Sequence, residues 1–106
     1  MRGGSDDEIG MDIEFLDDAL DRLEVDPQFT GGYPPEVVRA YRKRLQLIHN
    51  AEDERDLYAF RSWRFKKLMG DRSHQRSIRL NDRWRLVVEI KQAKPKNIIV
   101  IVSIED

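Results

Sequence analysis

Ser77-Ile78-Arg79-Leu80-Asn81-Asp82-Arg83-Trp84-Arg85-Leu86-Val87-Val88-Glu89-Ile90 is the stretch on which the fold turns. Ile78 and Leu80 alternate with Ser77 and Arg79. Trp84, Leu86, Val88 and Ile90 alternate with Arg85, Val87 and Glu89. A period of two is the mark of a half-buried strand. For both runs to face one core, Leu80 must pair with Trp84. That makes Asn81-Asp82-Arg83 an odd-length loop, because a two-residue loop would turn one apolar set outward. The pairing also places Arg79 beside Arg85 on the other face.

Working outward, Ala93 to Asn97 (AKPKN) makes the next turn. Ile98 to Ile104 is almost all apolar and largely β-branched, which predicts a central strand covered on both faces. On the N-terminal side, Phe65 to Met69 reads as a strand and Gly70-Asp71 as its turn. Asp53 to Phe60 reads as a short helix carrying Leu57 and Phe60 inward. Pro34-Pro35 opens a longer helix that ends near Asn50, with Val37 or Val38, Tyr41, Leu45 and Ile48 as its stripe. Arg39, Arg42, Lys43 and Arg44 fall mostly off that stripe, and His49 helps end the helix and is assigned no chemistry. Pro27 and Gly31-Gly32 mark a loop. Before it, Phe15, Leu16, Ala19, Leu20 and Leu23 recur at helical spacing, with Asp17, Asp18 and Asp21 at the positive end of the dipole. Met11 to Phe15 alternates as a short strand. The result is one α+β domain over residues 11–106, an antiparallel sheet with two to three helices packed on one face. Residues 1–10 (MRGGSDDEIG) are expected to be a flexible extension or tag remnant.

Composition removes several functions. The chain has no cysteine, so it has neither disulfides nor thiolate metal ligands. No apolar run approaches the roughly 20 residues that span a bilayer, which argues against a membrane. No glycine-rich loop follows a strand and opens a helix. No His/Asp/Glu cluster has metal-ligand spacing, and neither histidine has an evident Ser-His-Asp partner. No cofactor is expected. The net charge of −1 hides an asymmetry: residues 1–33 hold 2 basic and 10 acidic residues, whereas residues 34–106 hold 17 basic and 10 acidic. The excess peaks from Arg61 to Lys96, where 12 Lys/Arg face only Asp71, Asp82 and Glu89. A basic face of this kind is the footprint of a polyanion binder, or an ordinary arginine-rich surface.

Three segments carry a family resemblance. Leu68-Met69-Gly70-Asp71-Arg72 resembles an LKGDR segment, Ser77 to Arg85 a W-S-I-x-[VI]-N-x-x-W-R hairpin, and Ile104-Glu105-Asp106 the start of a terminal [IV]-x-D-Y-H. All three belong to the HigB-type toxins of the RelE-like superfamily. The resemblance runs over about residues 11 to 106, with Pro35 to Asn50 where that family has its long helix. It implies a RelE-like fold and the toxin of a type II toxin–antitoxin system, a cytoplasmic endoribonuclease that cuts messenger RNA in the ribosomal decoding site without a metal. Its partners would be a helix-turn-helix, HigA-like antitoxin and the small ribosomal subunit. The alternative is a degenerate or truncated member that binds antitoxin, RNA or ribosome without cleaving.

By the same resemblance, Arg85 matches the catalytic arginine, and strand parity independently puts it opposite the core face, where a planar fork can grip phosphate. Asp106 matches the terminal aspartate. The family's Tyr-His would follow it, where this sequence stops, implying a truncated or attenuated toxin or one that works without them. Many relatives carry lysine where this chain has Met69, so Lys66 or Lys67 would supply the charge. Parity puts Lys67 on the side of Met69, which makes Lys67 a catalytic candidate and Lys66 an RNA contact. His74, in the loop before the hairpin, is a candidate acid or base. Arg72, Arg76, Arg79 and Arg83 are candidate contacts to messenger or ribosomal RNA. Trp84 is expected in the core, and Trp63 either in the core or exposed for stacking.

Overall fold

The computed structural model describes residues 10–106. The expectation for residues 1–10 lies outside them except at Gly10. That glycine is buried with φ +82°, and its backbone abuts the His49 carbonyl so closely that no side chain fits.

The elements are β1 (Ile13–Phe15), α1 (Asp18–Val25), α2 (Pro35–Asn50), two short 3₁₀ turns (Glu54–Ala59 and Arg61–Trp63), β2 (Lys66–Lys67), a third 3₁₀ turn (Gly70–Arg72), β3 (Gln75–Arg79), β4 (Arg85–Lys91) and β5 (Ile98–Glu105). Five strands form one sheet in the order β1-β5-β4-β3-β2. Neighbours from β2 to β5 are antiparallel, while β1 joins β5 in parallel. The sheet is therefore mixed, and its first and last strands in sequence lie side by side.

The first helix starts later than the apolar spacing predicts. Asp17 is its N-cap, accepting a 3.0 Å hydrogen bond from the Leu20 amide. Phe15 stays in β1, Leu16 is exposed, Ala19 is exposed, and only Leu20 and Leu23 are buried. The cap fixes where the chain turns, and the strand keeps Phe15. The second helix matches its expectation: Pro35 opens it, and Val37, Val38, Tyr41, Leu45 and Ile48 are all buried.

These two helices cover one face of the sheet. Ile78, Leu86, Val88, Ile99, Ile101 and Ile104 meet them there. Polar groups brace the contact. The Tyr41 hydroxyl donates to the Leu20 carbonyl at 2.6 Å. Arg42 donates to the carbonyls of Leu23, Asp26 and Phe29 at 2.9–3.0 Å, which ties down the loop after α1. Arg44 donates twice to the Arg79 carbonyl, at 3.2 and 3.0 Å, and lies 5.3 Å over the Trp63 ring. It anchors the base of the hairpin to α2.

The hairpin has the register that parity requires. Ile78 pairs with Leu86 and Arg79 with Arg85, and the Leu80 amide bonds to the Trp84 carbonyl at 2.9 Å. Asn81 closes the three-residue loop: its Oδ1 accepts from the amides of Arg83 and Trp84 at 2.9 and 2.8 Å. Its Nδ2 reaches Glu36 on the first turn of α2 at 2.8 Å.

Three expectations need correction. The strand from Phe65 to Met69 shrinks to Lys66–Lys67, because the chain enters from a 3₁₀ turn and leaves with Leu68 buried. Of the tryptophans, Trp63, left open by the sequence, is the core residue, and Trp84 only packs against the edge of the core. Trp63 is 2% exposed and stacks on Phe60 at 4.4 Å, while Trp84 is half-buried, edge-on to Tyr33. β5 is central but covered on one face only: Ile99, Ile101 and Ile104 are buried, whereas Ile98, Val100 and Val102 are partly exposed. All the helical cover lies on one side.

One irregularity in β5 matters for the site. Val87 pairs with Ser103 but Val88 pairs with Ile101, so Val102 is an extra residue, a β-bulge. Strict alternation would send residues 99, 101, 103 and 105 inward. The bulge resets the phase, so Ile104 points to the core while Ser103 and Glu105 face out beside Val87 and Arg85.

Candidate active site

The uncovered face of the sheet carries a groove of about 280 Å³ at the hairpin end, lined by Arg64, Lys66, Ser77, Arg79, Asn81, Asp82, Arg83, Trp84 and Arg85. Registry explains the gathering. Lys66 pairs with Ser77, Ser77 with Val87, and Arg79 with Arg85, so a row of side chains crosses β2, β3 and β4 on that face. Ser77 and Val87 are small enough to sink between the long neighbours and are buried. Arg64 enters from the turn before β2 with φ 49°, in the left-handed region that few non-glycine residues adopt.

The groove is strongly basic, and much of its charge is already held. Arg79 pairs with Asp82 within the loop. Arg83 pairs with Asp106 at 2.7 Å. Arg85 donates to Glu105 at 3.3 Å. Arg64 and Lys66 form no ion pair with a described residue. Glu105 is the most engaged carboxylate of the site. Arg72 grips it end-on with two bonds of 3.0 and 2.6 Å, and the Ser103 hydroxyl donates to it at 2.6 Å. The bond from Arg72 is the largest cause that holds the Glu105 carboxyl down to about 2; burial opposes it, and the bonds from Ser103 and Arg85 assist it. The same contact raises the Arg72 guanidinium. Arg72 is steadied further by Gln75, whose Oε1 accepts from its Nε at 2.9 Å and whose amide donates to Glu89 at 2.9 Å.

The sequence-derived candidates divide between the two faces. Arg85, Arg79, Arg83 and Lys66 line the groove. Asp106 touches it through Arg83. Arg72 reaches Arg85 by way of Glu105, and with Lys66, Lys67, Met69 and Arg85 borders a depression of about 340 Å³ on the adjoining surface. Lys67 pairs in register with Arg76, and Arg76 with Val88, which is a core position. Lys67, His74 and Arg76 therefore share a separate depression with Glu54, Ser73, Ile90 and Gln92. There the Arg76 Nε is buried without a partner. His74 is well exposed, 3.7 Å from Glu89, and Met69 is 89% exposed.

Reading the sequence missed Arg64, Ser77, Ser103 and Glu105. The signal for Glu105 was available in part: it is the acidic neighbour of Asp106 at the end of a strand. Its alignment with Arg85 needs the bulge, which an unbroken apolar run conceals. Among the described residues no group of three or more His, Cys, Asp or Glu is arranged to hold a metal ion. No helix among them is long and apolar enough to cross a membrane.

Similarity to known proteins agrees with this architecture. The YoeB/ParE toxin from Agrobacterium tumefaciens is similar in structure, with a TM-score of 0.55 over 90% of this chain and 96% of that one, at 12% sequence identity. That likeness concerns the fold. No curated protein matches the chain in sequence. The family model of the HigB-like toxins, described as the RelE-like toxin of type II toxin–antitoxin system HigB, matches residues 13–101. The chain thus belongs to the HigB-like family of RelE-like toxins, generally nucleases, and is the toxin component of a type II pair whose partner is an antitoxin.

Proposed function

We propose that the chain is an endoribonuclease that cuts messenger RNA in the decoding site of the small ribosomal subunit, without a metal, and that Arg85 is its phosphate-binding catalytic residue. One observation carries the reading: Arg85 sits in a basic groove on the uncovered face, one guanidinium nitrogen on Glu105 and the others free to donate. In such a reaction the substrate's 2′-hydroxyl attacks the adjacent phosphorus, the 5′-oxygen leaves, and a 2′,3′-cyclic phosphate forms. Charge grows on the non-bridging oxygens, where a fixed fork of N–H donors is most effective. Lys66, Arg64, Arg79 and Arg83 flank Arg85 and suit the neighbouring phosphates.

Among the candidates for proton transfer, Asp106 is joined to the groove by Arg83, and Lys67 borders Arg85 from the adjoining depression. His74 lies in the depression that excludes Arg85. It suits, with Arg76, a contact to RNA away from the scissile bond. Family membership supplies an antitoxin. A helix-turn-helix, HigA-like partner and a cytoplasmic site of action fit this reading. The absence of histidine from the groove favours a second reading, a family member that binds ribosome, RNA or antitoxin without cutting.

The test is binding to small ribosomal subunits at two ionic strengths, together with cleavage on translating ribosomes. Affinity should fall steeply with salt as phosphate contacts release counterions, and cleavage should leave 5′-hydroxyl ends. Salt-independent binding, or none at low salt, refutes the first reading and leaves of the second only binding to an antitoxin. Salt-sensitive binding without cleavage selects the second.

A further inference from the structure

We infer that Glu105 is the positioning residue of the site: with Arg72 as its buttress, it holds the Arg85 guanidinium in place for the scissile phosphate. The inference rests on the endoribonuclease reading above. It also changes the part assigned to Arg72, from RNA contact to support.

The geometry is a network of five side chains. Gln75 fixes Arg72 through its Nε, and the two terminal nitrogens of Arg72 clasp the two oxygens of Glu105. Ser103 donates to Oε2, and Oε1 is left to accept from Arg85 at 3.3 Å. Three nitrogens of Arg72 are thus engaged, so its fork is not available to a phosphate. Arg85 is the reverse, with one nitrogen held and the rest open. A long arginine at the strand end is otherwise free to swing. Holding its fork beforehand removes an ordering cost from the reacting complex.

Glu105 does not serve as a general base. Its carboxyl is held near 2, far below the range in which a base transfers protons efficiently at neutral pH. What it provides is a fixed negative charge and a fixed oxygen. The β-bulge at Val102 is the backbone feature that makes this possible. Without it Glu105 would point toward the core and Ile104 away from it. A negative charge beside the phosphate also repels the bound substrate. It therefore costs ground-state affinity while it orders the group that acts in the transition state.

Glu105→Gln tests this in the whole 106-residue chain. The substitution keeps the shape, removes the charge and turns one oxygen into a donor that faces the arginines. The expected result is a kcat about 10–100-fold lower, as for a modest misplacement of a catalytic group, with KM unchanged or lower. Glu105→Asp, which keeps the charge, should recover part of the loss. A Gln variant as fast as the parent, or faster, overturns the inference and marks the carboxylate as a competitor for phosphate. A raised KM at unchanged kcat also overturns it. Nitrogen-15 spectra of the arginine side chains, with Arg85 identified by Arg85→Lys, give a readout that needs no cleavage. Arg85 N–H signals should be sharp and slow to rotate in the parent and averaged in Glu105→Gln. Equal order in both overturns the positioning role even if the chain cuts RNA. Loss of order in a chain that does not cut supports it and leaves the endoribonuclease reading to fail alone.

Discussion

Arg85→Ala should separate activity from folding, and the structure sets both magnitudes. The Arg85 side chain is 42% exposed, and its ion pair with Glu105 is 3.3 Å long. Exposed pairs of this kind contribute about 0.2–1 kcal/mol. Removing the arginine does not strand its partner, since Glu105 keeps both bonds from Arg72 and the one from Ser103. No core contact is lost, because Arg85 alternates with Leu86 and lies on the face away from the helices. A loss of at most about 1 kcal/mol corresponds to roughly 4–8 °C in a domain of this size. Catalysis should suffer more. Losing one preorganised donor to a developing negative charge costs on the order of 10²–10³ in rate, about 3–4 kcal/mol. The assay pairs thermal melts with messenger cleavage on translating ribosomes. A variant that melts far below the parent shows that Arg85 carries packing, and one that cleaves at the parental rate shows that it carries no chemistry. Either result refutes the face-and-function reasoning.

Other perturbations follow from the same structure. Trp63→Ala should lose about 3–5 kcal/mol in urea titrations, because Trp63 is buried under Arg44 and stacked on Phe60. Trp84→Ala, at a half-buried position, should lose less; the opposite order would contradict the placement of the two rings. The depressed Glu105 carboxyl contributes stability that is complete above its ordinary value of 4.5 and disappears as pH falls to about 2. Stability curves of the parent and Glu105→Gln should therefore converge toward about pH 2, and a constant gap down to that pH would show that ionisation is not the source.

Two kinds of information in the sequence had different reach. The hairpin was fully legible: Leu80 meets Trp84, Arg79 meets Arg85 and Asn81 closes a three-residue loop, because alternation and turn length are local and constrain each other. The long helix was legible for the same reason. The start of α1 was not, since Phe15 and Leu16 fit the helical spacing while the Asp17 cap and the pairing of β1 with β5 decided otherwise. The two tryptophans were ordered wrongly because parity alone spoke for Trp84. Trp63 is buried by tertiary partners, Phe60 and Arg44, that no local pattern announces.

The site shows where local patterns stop. Arg85 is a candidate by family resemblance and parity, Lys66 by its nearness to Met69, and Arg79 and Arg83 by their charge around the hairpin; registry gathers all four in one groove. Lys67 is a candidate by its parity with Met69, where the resembled family carries lysine, and His74 by its place in the loop before the hairpin. A strand separates neighbours by face, so Lys67 pairs with Arg76 rather than Ser77 and stays out of the groove, although at the sheet edge it still borders the depression that Arg85 shares. Glu105 was passed over in favour of its neighbour for a deeper reason. Residues 98 to 102 read as an unbroken apolar run, and such a run hides its own phase: any of its residues fits either face. The extra residue at Val102 carries no mark inside that run, and only the order Ser103-Ile104-Glu105 beyond it reports that the phase has changed. The burial of Ile104 on one side and the clasp of Arg72, Ser103 and Arg85 around Glu105 on the other favour the same phase. The bulge is thus held by the core and by the site together.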